Sequence, residues 1–167
     1  EMCRIFLREE KIRFSPPSDT LPDVRETDDE VTVRGADFTV RFIKRAAQIA
    51  EASYKGSILL TGGPHLHVSG DSLTDWTADT ATPIQIAADG KYAVVVLKGH
   101  YQNGQEVKFT LRFSGNGILI TEYQLLNMVL KANKFSEVGI RYDISAKAES
   151  VQWLRKGIYS AYPADHI

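Results

Sequence analysis

The chain has 167 residues, of which 43% are hydrophobic and 25% charged, proportions that are typical of a globular domain and exclude global disorder. Its formal net charge of -1 provides no basic footprint for DNA or RNA, so nucleic acid is not an expected partner. The single cysteine, Cys3, excludes an internal disulfide and a cysteine-based metal site, and no apolar run is long enough for a membrane-spanning helix.

Residues 1–30 are predicted to form a linker or surface arm that precedes the main domain. Residues 3–7 and 12–14 have the pattern of a short strand or hairpin. The proline-rich residues 15–22 then interrupt regular structure, because proline lacks the backbone donor that a β-ladder requires. The acidic residues 23–30 are interpreted as a solvated loop.

Residues 31–167 are predicted to form one all-β domain. Residues 31–34 and 38–42 alternate with period two around a glycine-containing turn, which is the pattern of a β-hairpin. Residues 48–54 favour a strand, and a short helix over residues 44–52 is the alternative because alanine favours helix.

The next segments predict two more strands and a long loop. Residues 58–60 and 65–68 have strand character, and the glycines and proline of residues 61–64 predict a tight irregular turn between them. Residues 69–83 are rich in Asp, Thr and Ser and predict a polar loop, in which Trp76 is the one large side chain.

Three dipeptides mark hairpin turns between consecutive strands. Asp89-Gly90, Asn103-Gly104 and Asn116-Gly117 are strong signals of this kind, spaced as in an antiparallel meander. Residues 125–135 either extend a strand or form a short helical turn. The strand-like segments of this half are residues 84–87, 92–101, 106–113, 118–125, 138–144 and 151–155. The chain is therefore predicted to be an all-β protein with two antiparallel sheets packed as a β-sandwich.

His65 and His67 form an H-x-H pair on a predicted strand. Side chains two residues apart on a strand share a face, so both imidazoles could reach one metal ion. The third ligand that such a site requires is not nearby, since Asp71 and Asp75 lie in the polar loop. A polar strand face or an interface is therefore favoured, and neither a metal nor a cofactor is expected.

The aromatic residues offer a second class of contact. Exposed aromatic rings stack on sugars, but the same rings fill sandwich cores. Trp153, on an apolar strand, favours the core, while Tyr159 and Tyr162 lie in a predicted loop and Trp76 either stacks or folds back over the core. No sequence feature marks an acidic residue as catalytic, and no nucleophile elbow, P-loop or dinucleotide fingerprint is present.

The last fifteen residues, WLRKGIYSAYPADHI, resemble a segment in the C-terminal domain of family 2 glycoside hydrolases of the β-galactosidase type. Residues 35–42 resemble the opening hairpin of that domain, residues 58–66 its strand with a Gly-Pro pair, and residues 116–123 its mid-domain hairpin. The resemblance covers about residues 30 to 167. Residues 44–48 lack the glycine of the family's Asp-Lys-x-x-Gly turn, so this turn is expected to differ.

The resemblance implies a galactose mutarotase-like β-supersandwich with no catalytic residues, because the catalytic carboxylates of these enzymes belong to a separate TIM barrel. The implied partners are the other domains of a parent glycosidase, together with galactosides or other glycans. The family's aromatic residue that reaches the active-site rim follows the Tyr-Pro segment, so a chain that ends at Ile167 is expected to be a piece of a longer protein. A secreted or periplasmic bacterial parent fits this reading, although the compartment stays open. The candidates for carbohydrate or domain contact are Trp76, Tyr159, Tyr162, His166, His65 and His67.

Two other functions fit the same fold class. A stand-alone aldose epimerase-like enzyme would need a histidine acid and a glutamate base on opposite sides of the sugar, for which His65, His67 or His100 and Glu122 are the candidates. An independent carbohydrate-binding module would need neither.

Overall fold

The computed structural model describes residues 16–70, 73–129 and 137–147. Apart from Pro16, the described residues belong to one compact unit, Pro17–Ala148. The second unit comprises Glu1–Pro16 and Glu149–Ile167, so the strands predicted at residues 3–7, 12–14 and 151–155 lie outside the described residues. No helix within the described ranges has the length and apolar character that crossing a membrane requires.

The described residues form eleven strands and one short 3₁₀ helix, Lys44–Ala46, which confirms the all-β class. In chain order the strands are β1 (Asp23–Glu26), β2 (Glu30–Arg34), β3 (Phe38–Ile43), β4 (Gln48–Tyr54), β5 (Ser57–Val68), β6 (Thr77–Ala78), β7 (Ile84–Asp89), β8 (Tyr92–His100), β9 (Glu106–Ser114), β10 (Leu119–Leu125) and β11 (Val138–Ile144).

The strands assemble into two antiparallel sheets. The first sheet has six strands in the order β1-β2-β3-β4-β5-β11, so its last strand comes from far along the chain. The second sheet has the order β10-β9-β8-β6, and β7 also pairs with β8. Both β6 and β7 pair with β8 because β6 contacts Gly99 and His100, whereas β7 contacts residues 92–97.

The period-two alternation of the strands builds the core between the sheets. On β9, Val107, Phe109, Leu111 and Phe113 are buried, while the residues between them face outward. Phe113 meets Phe42 of β3, with ring centroids 6.0 Å apart in an edge-on arrangement. Side chains from the two inner faces therefore interdigitate in one apolar layer, as the sandwich prediction required.

The three predicted hairpin turns are confirmed. Gly90, Gly104 and Gly117 have φ values of 59°, 82° and 87°, in the left-handed region that glycine adopts without steric cost. They connect β7 to β8, β8 to β9 and β9 to β10, each as an antiparallel pair.

Two segments differ from the sequence-based prediction. Residues 23–26, predicted to be a solvated loop, form β1, an edge strand paired with β2. Its charged residues are compatible with an edge because one side has no partner strand among the described residues, while Val24 packs against the core. Residues 61–64, predicted to be a turn, lie within the continuous strand β5. Here Gly62 makes room for the Asp143 carboxylate of β11, which a Cβ atom would overlap.

The segment before β4 forms a turn without glycine. Residues 48–54 form a strand, as favoured over the helical alternative, and only Lys44–Ala46 are helical. The next residue, Ala47, closes the turn with a left-handed φ of 46° and a buried side chain. An alanine thus occupies a conformation that favours glycine.

Candidate functional site

The two histidines of the H-x-H pair lie on the outer face of the six-stranded sheet, near the end of β5. Leu66 and Val68 alternate with them and are buried in the core. His67 is exposed, whereas the His65 side chain is only 20% exposed. The prediction that both imidazoles share one strand face is confirmed.

Neighbouring strands hold His65 by both ring nitrogens. The Gln48 amide nitrogen on β4 lies 3.3 Å from His65 Nδ1, and Asp143 Oδ2 on β11 lies 3.0 Å from His65 Nε2. An amide nitrogen only donates and an ionised carboxylate only accepts, so the network assigns the proton to Nε2 and makes Nδ1 an acceptor. His65 is thereby fixed in one ring orientation and one tautomer.

A cavity of about 290 Å³ adjoins this end of β5. We call it the histidine pocket. Its described lining combines basic side chains, one phenol and three aliphatic residues, and consists of His65, His67, Arg141, Leu66, Val68, Leu73 and Tyr101. The surface that this lining exposes is mainly polar, because the Leu66 and Val68 side chains face the core.

Tyr101 is the buried polar group of the pocket. Its side chain is 3% exposed, and its hydroxyl oxygen accepts a hydrogen bond of 2.7 Å from the Leu66 backbone N–H. Burial raises the pKa of Tyr101 above its ordinary value, against smaller opposing effects of the Leu66 bond and the positive charge of Arg141. The phenol is therefore protonated at neutral pH, and no described residue accepts its proton.

Arg141 supplies the permanent positive charge. It lies on β11 directly opposite His65, and its side chain is 65% exposed. Arg141 Nε is 4.0 Å from Asp143 Oδ1, at the outer limit of an ion pair, so the two charges interact only weakly. Asp143 is bound more closely by His65 than by Arg141.

The H-x-H pair is not part of a metal cluster in the described ranges of the chain. No group of three or more His, Cys, Asp or Glu side chains with suitable geometry occurs there. His65 also has both ring nitrogens within hydrogen-bonding distance of neighbours, so neither is left to bind a metal ion.

Trp76 lies against the core rather than forming an open platform. Its indole N–H donates a 2.8 Å hydrogen bond to the Ala46 carbonyl, and its ring centroid is 5.2 Å from that of Tyr101 and 5.8 Å from that of Phe109. Gly99 lies beneath the ring, where a Cβ atom would overlap it. Of the two interpretations of Trp76, the structure gives the one in which the loop folds back.

The remaining sequence candidates are not brought to the histidine pocket. Tyr159, Tyr162 and His166 lie outside the described residues, as does Trp153.

The histidines and the glutamate of the epimerase hypothesis do not converge on one sugar. His65 and His67 lie on the outer face of the six-stranded sheet, whereas Glu122 lies on the other sheet and pairs with Arg112 at its outer face. His100 shares the second sheet with Glu122, but it pairs with Glu106, while Glu122 pairs with Thr110. Four residues along a strand correspond to roughly 13 Å, beyond the hydrogen-bond reach that acid–base catalysis requires.

Three residues of the site were not singled out from the sequence. Gln48, Tyr101 and Arg141 contribute an amide, a phenol and a guanidinium to it. Period two places Arg141 on an outward face, but only the pairing of β5 with β11 shows that this face adjoins His65. No local sequence signal encodes that pairing.

No protein-family model matches this chain, and no curated protein matches it.

Proposed function

We propose that this chain is a non-catalytic β-sandwich domain of a β-galactosidase-like glycoside hydrolase, which supports the catalytic barrel and contacts carbohydrate. The observation that carries the proposal is where the resembling segments fall in the fold. Residues 35–42 lie in the β2–β3 hairpin, residues 58–66 lie in β5, and residues 116–123 span the turn into β10. These three segments contribute to one two-sheet antiparallel sandwich, the architecture that the resemblance implies, whereas the last fifteen residues lie outside the described residues.

The acidic residues support a non-catalytic role. A glycosidase needs two carboxylates that flank the scissile bond, and the described lining of the histidine pocket contains none. Asp143 is bound by His65 on the sheet surface. The pKa of Asp79 is lowered chiefly by hydrogen bonds from the backbone N–H groups of Thr82 and Ala81, which is the chemistry of a turn.

The histidine pocket supports the carbohydrate-contacting part of the proposal. Sugar hydroxyls need hydrogen-bonding partners. The pocket offers the exposed imidazole of His67, the guanidinium of Arg141 and the phenol of Tyr101 in a lining whose exposed surface is mainly polar. Two of the sequence candidates, His65 and His67, are thus on the wall of one cavity.

The reading frame that encodes the chain provides the direct test. The proposal expects the same frame to encode a TIM barrel with a pair of catalytic carboxylates, and a frame without a glycosidase barrel would overturn it. A second test is an assay of the purified chain on nitrophenyl galactosides. We expect no turnover, and activity that co-purifies with the chain through successive columns would contradict the non-catalytic role.

A further inference from the structure

We infer that the histidine pocket binds an acidic sugar residue and recognises its carboxylate through Arg141, His67 and Tyr101. The inference rests on the proposed function, and it specifies the class of carbohydrate that this site would take. It is carried by the charge, the donor inventory and the size of the pocket.

The charge of the lining favours an anion. Arg141 carries the permanent charge of the described lining, and no described lining residue is acidic. Arg141 is charged at every physiological pH, and its planar fork of donors matches the two oxygens of a carboxylate. A neutral sugar offers no charge that could pair with it.

The hydrogen-bonding groups are predominantly donors. The Tyr101 oxygen already accepts the Leu66 N–H, so the phenol has its own proton left to donate. Its raised pKa keeps that proton in place at neutral pH. The exposed imidazole of His67, which is next to Leu66 on β5, adds a further ring N–H donor. A ligand that supplies several acceptor lone pairs, as a carboxylate does, fits this inventory.

Asp143 is the nearest competing anion, and its geometry leaves Arg141 available. Its Oδ2 atom binds His65 Nε2 at 3.0 Å. Its Oδ1 atom approaches Arg141 only through Nε, at 4.0 Å. The terminal nitrogens of Arg141 have no partner among the described residues, so an incoming carboxylate can bind them without displacing Asp143.

The size and polarity of the pocket favour one sugar residue over a free anion or a long glycan. The cavity volume of about 290 Å³ is at the lower end for ligand pockets. The exposed surface of the lining is mainly polar, so it can bind the hydroxyl groups of a pyranose as well as its carboxylate. A small inorganic or acetate-like anion would leave that surface unused.

The test compares two ligands that differ at one carbon atom. Methyl galacturonoside carries a carboxylate where methyl galactoside carries a hydroxymethyl group, and each is titrated into the full chain by calorimetry. We expect the acidic ligand to bind at least tenfold more tightly, since hydrogen bonds to charged groups are the stronger class. The preference should decrease as salt is added, because the pocket is open to solvent.

Variants identify the residues responsible. Arg141→Gln should remove most of the preference for the acid, and Arg141→Lys should restore only part of it, because lysine keeps the charge but loses the planar fork. His67→Gln should weaken acid binding less, and Arg34→Gln, at an exposed arginine on β2, is the matched control that should leave binding unchanged.

Three outcomes would overturn the inference. Equal affinity for the two ligands would mean that the pocket does not distinguish a charged sugar from a neutral one. The proposed function, in which the domain contacts carbohydrate, would not be affected by that result. Binding of neither ligand would mean that the pocket is not a carbohydrate site. The proposed function would then depend on its two other tests, the reading frame that should encode a TIM barrel and the absence of turnover on nitrophenyl galactosides. Acetate that competes as strongly as the galacturonoside would mean that the pocket binds a carboxylate without recognising a sugar.

Discussion

The buried amide of Gln105 connects two distant parts of the second sheet, and its removal should be costly. Gln105 has no exposed surface. Its Nε2 atom donates to the Asn127 carbonyl at 2.8 Å and to the Asn127 side-chain oxygen at 3.0 Å, and its Oε1 atom accepts from the Val129 N–H at 3.2 Å. The β8–β9 turn and the segment after β10 are thereby joined.

The expected magnitude follows from what each group loses. Gln105 Nε2 also donates to the Glu106 carbonyl at 3.0 Å, but that carbonyl accepts a second hydrogen bond from the Leu126 N–H and therefore keeps a partner when Gln105 is replaced. The Asn127 carbonyl and the Val129 N–H lose theirs, at about 1–3 kcal/mol each when fully buried. Both lie in a mostly exposed segment, so the lower end applies. With a cavity contribution of about 1–2 kcal/mol, Gln105→Ala should reduce the free energy of unfolding by about 3–4 kcal/mol.

Urea unfolding of a double-mutant cycle measures the interaction. Asn127→Ala combined with Gln105→Ala should show a coupling energy of about 1–2 kcal/mol, because the two amides share hydrogen bonds. Gln85→Ala, at an exposed glutamine of β7 in the same sheet, is the matched control and should change stability by less than about 0.5 kcal/mol. A loss for Gln105→Ala no larger than that of the control would refute the reasoning, and so would a coupling energy near zero.

Three further predictions test the packing, a turn and the pH response. Gly99→Ala should destabilise the fold by about 1–3 kcal/mol and shift tryptophan emission, because the new methyl group overlaps the Trp76 ring. Lys55→Asn should stabilise the fold by a few tenths to about 1 kcal/mol in urea unfolding, because the exposed Lys55 has a left-handed φ of 49° that asparagine tolerates better. Burial raises the pKa of both Tyr101 and Tyr142, so the unfolded chain releases these protons first and stability should fall as pH rises through about 10, with a shallower fall for Tyr142→Phe.

The sequence predicted most of the second sheet because its signals are local. Each Asn-Gly or Asp-Gly pair fixes a hairpin and thereby the pairing of the strands on both sides. The alternation on β9 then states which residues face the core. Turn residues and period-two alternation are sufficient to predict the strand pairing where strands that are adjacent in the sequence are also adjacent in the sheet.

The prediction was wrong where composition and tertiary pairing disagree. The charged residues of β1 have loop-like composition, but an edge strand needs only one partner and one packed side chain, Val24. The glycines at 62 and 63 indicate a turn by composition, whereas here they allow Asp143 and Tyr142 of β11 to approach β5 closely. The role of these glycines can be inferred only when β11 is known to pair with β5.

The same non-local pairing creates the candidate site. The sequence identified His65 and His67 as a pair on one face, but Arg141 comes from a strand more than 70 residues later and Tyr101 from the opposite sheet. Trp76 was open to two interpretations because a loop tryptophan has no periodicity to orient it. Its position against Tyr101 depends on the indole hydrogen bond to the Ala46 carbonyl, which no sequence pattern predicts.

On β5, the residues that support the fold and the residues that are proposed to contact a ligand lie on opposite faces of the same strand. Its inward residues Leu66 and Val68 pack in the core, and the Leu66 N–H fixes the phenol of Tyr101. Its two outward histidines differ in their contacts, because His65 is held by both neighbouring strands while His67 is exposed. The anchored imidazole thus fixes the wall of the pocket. Of the groups proposed to meet a ligand, His67 and Arg141 are exposed, whereas Tyr101 is also part of the core. Substitution of His67 or Arg141 can change binding with little effect on the fold, which is why the proposed contact role and the proposed supporting role can be measured separately in one chain.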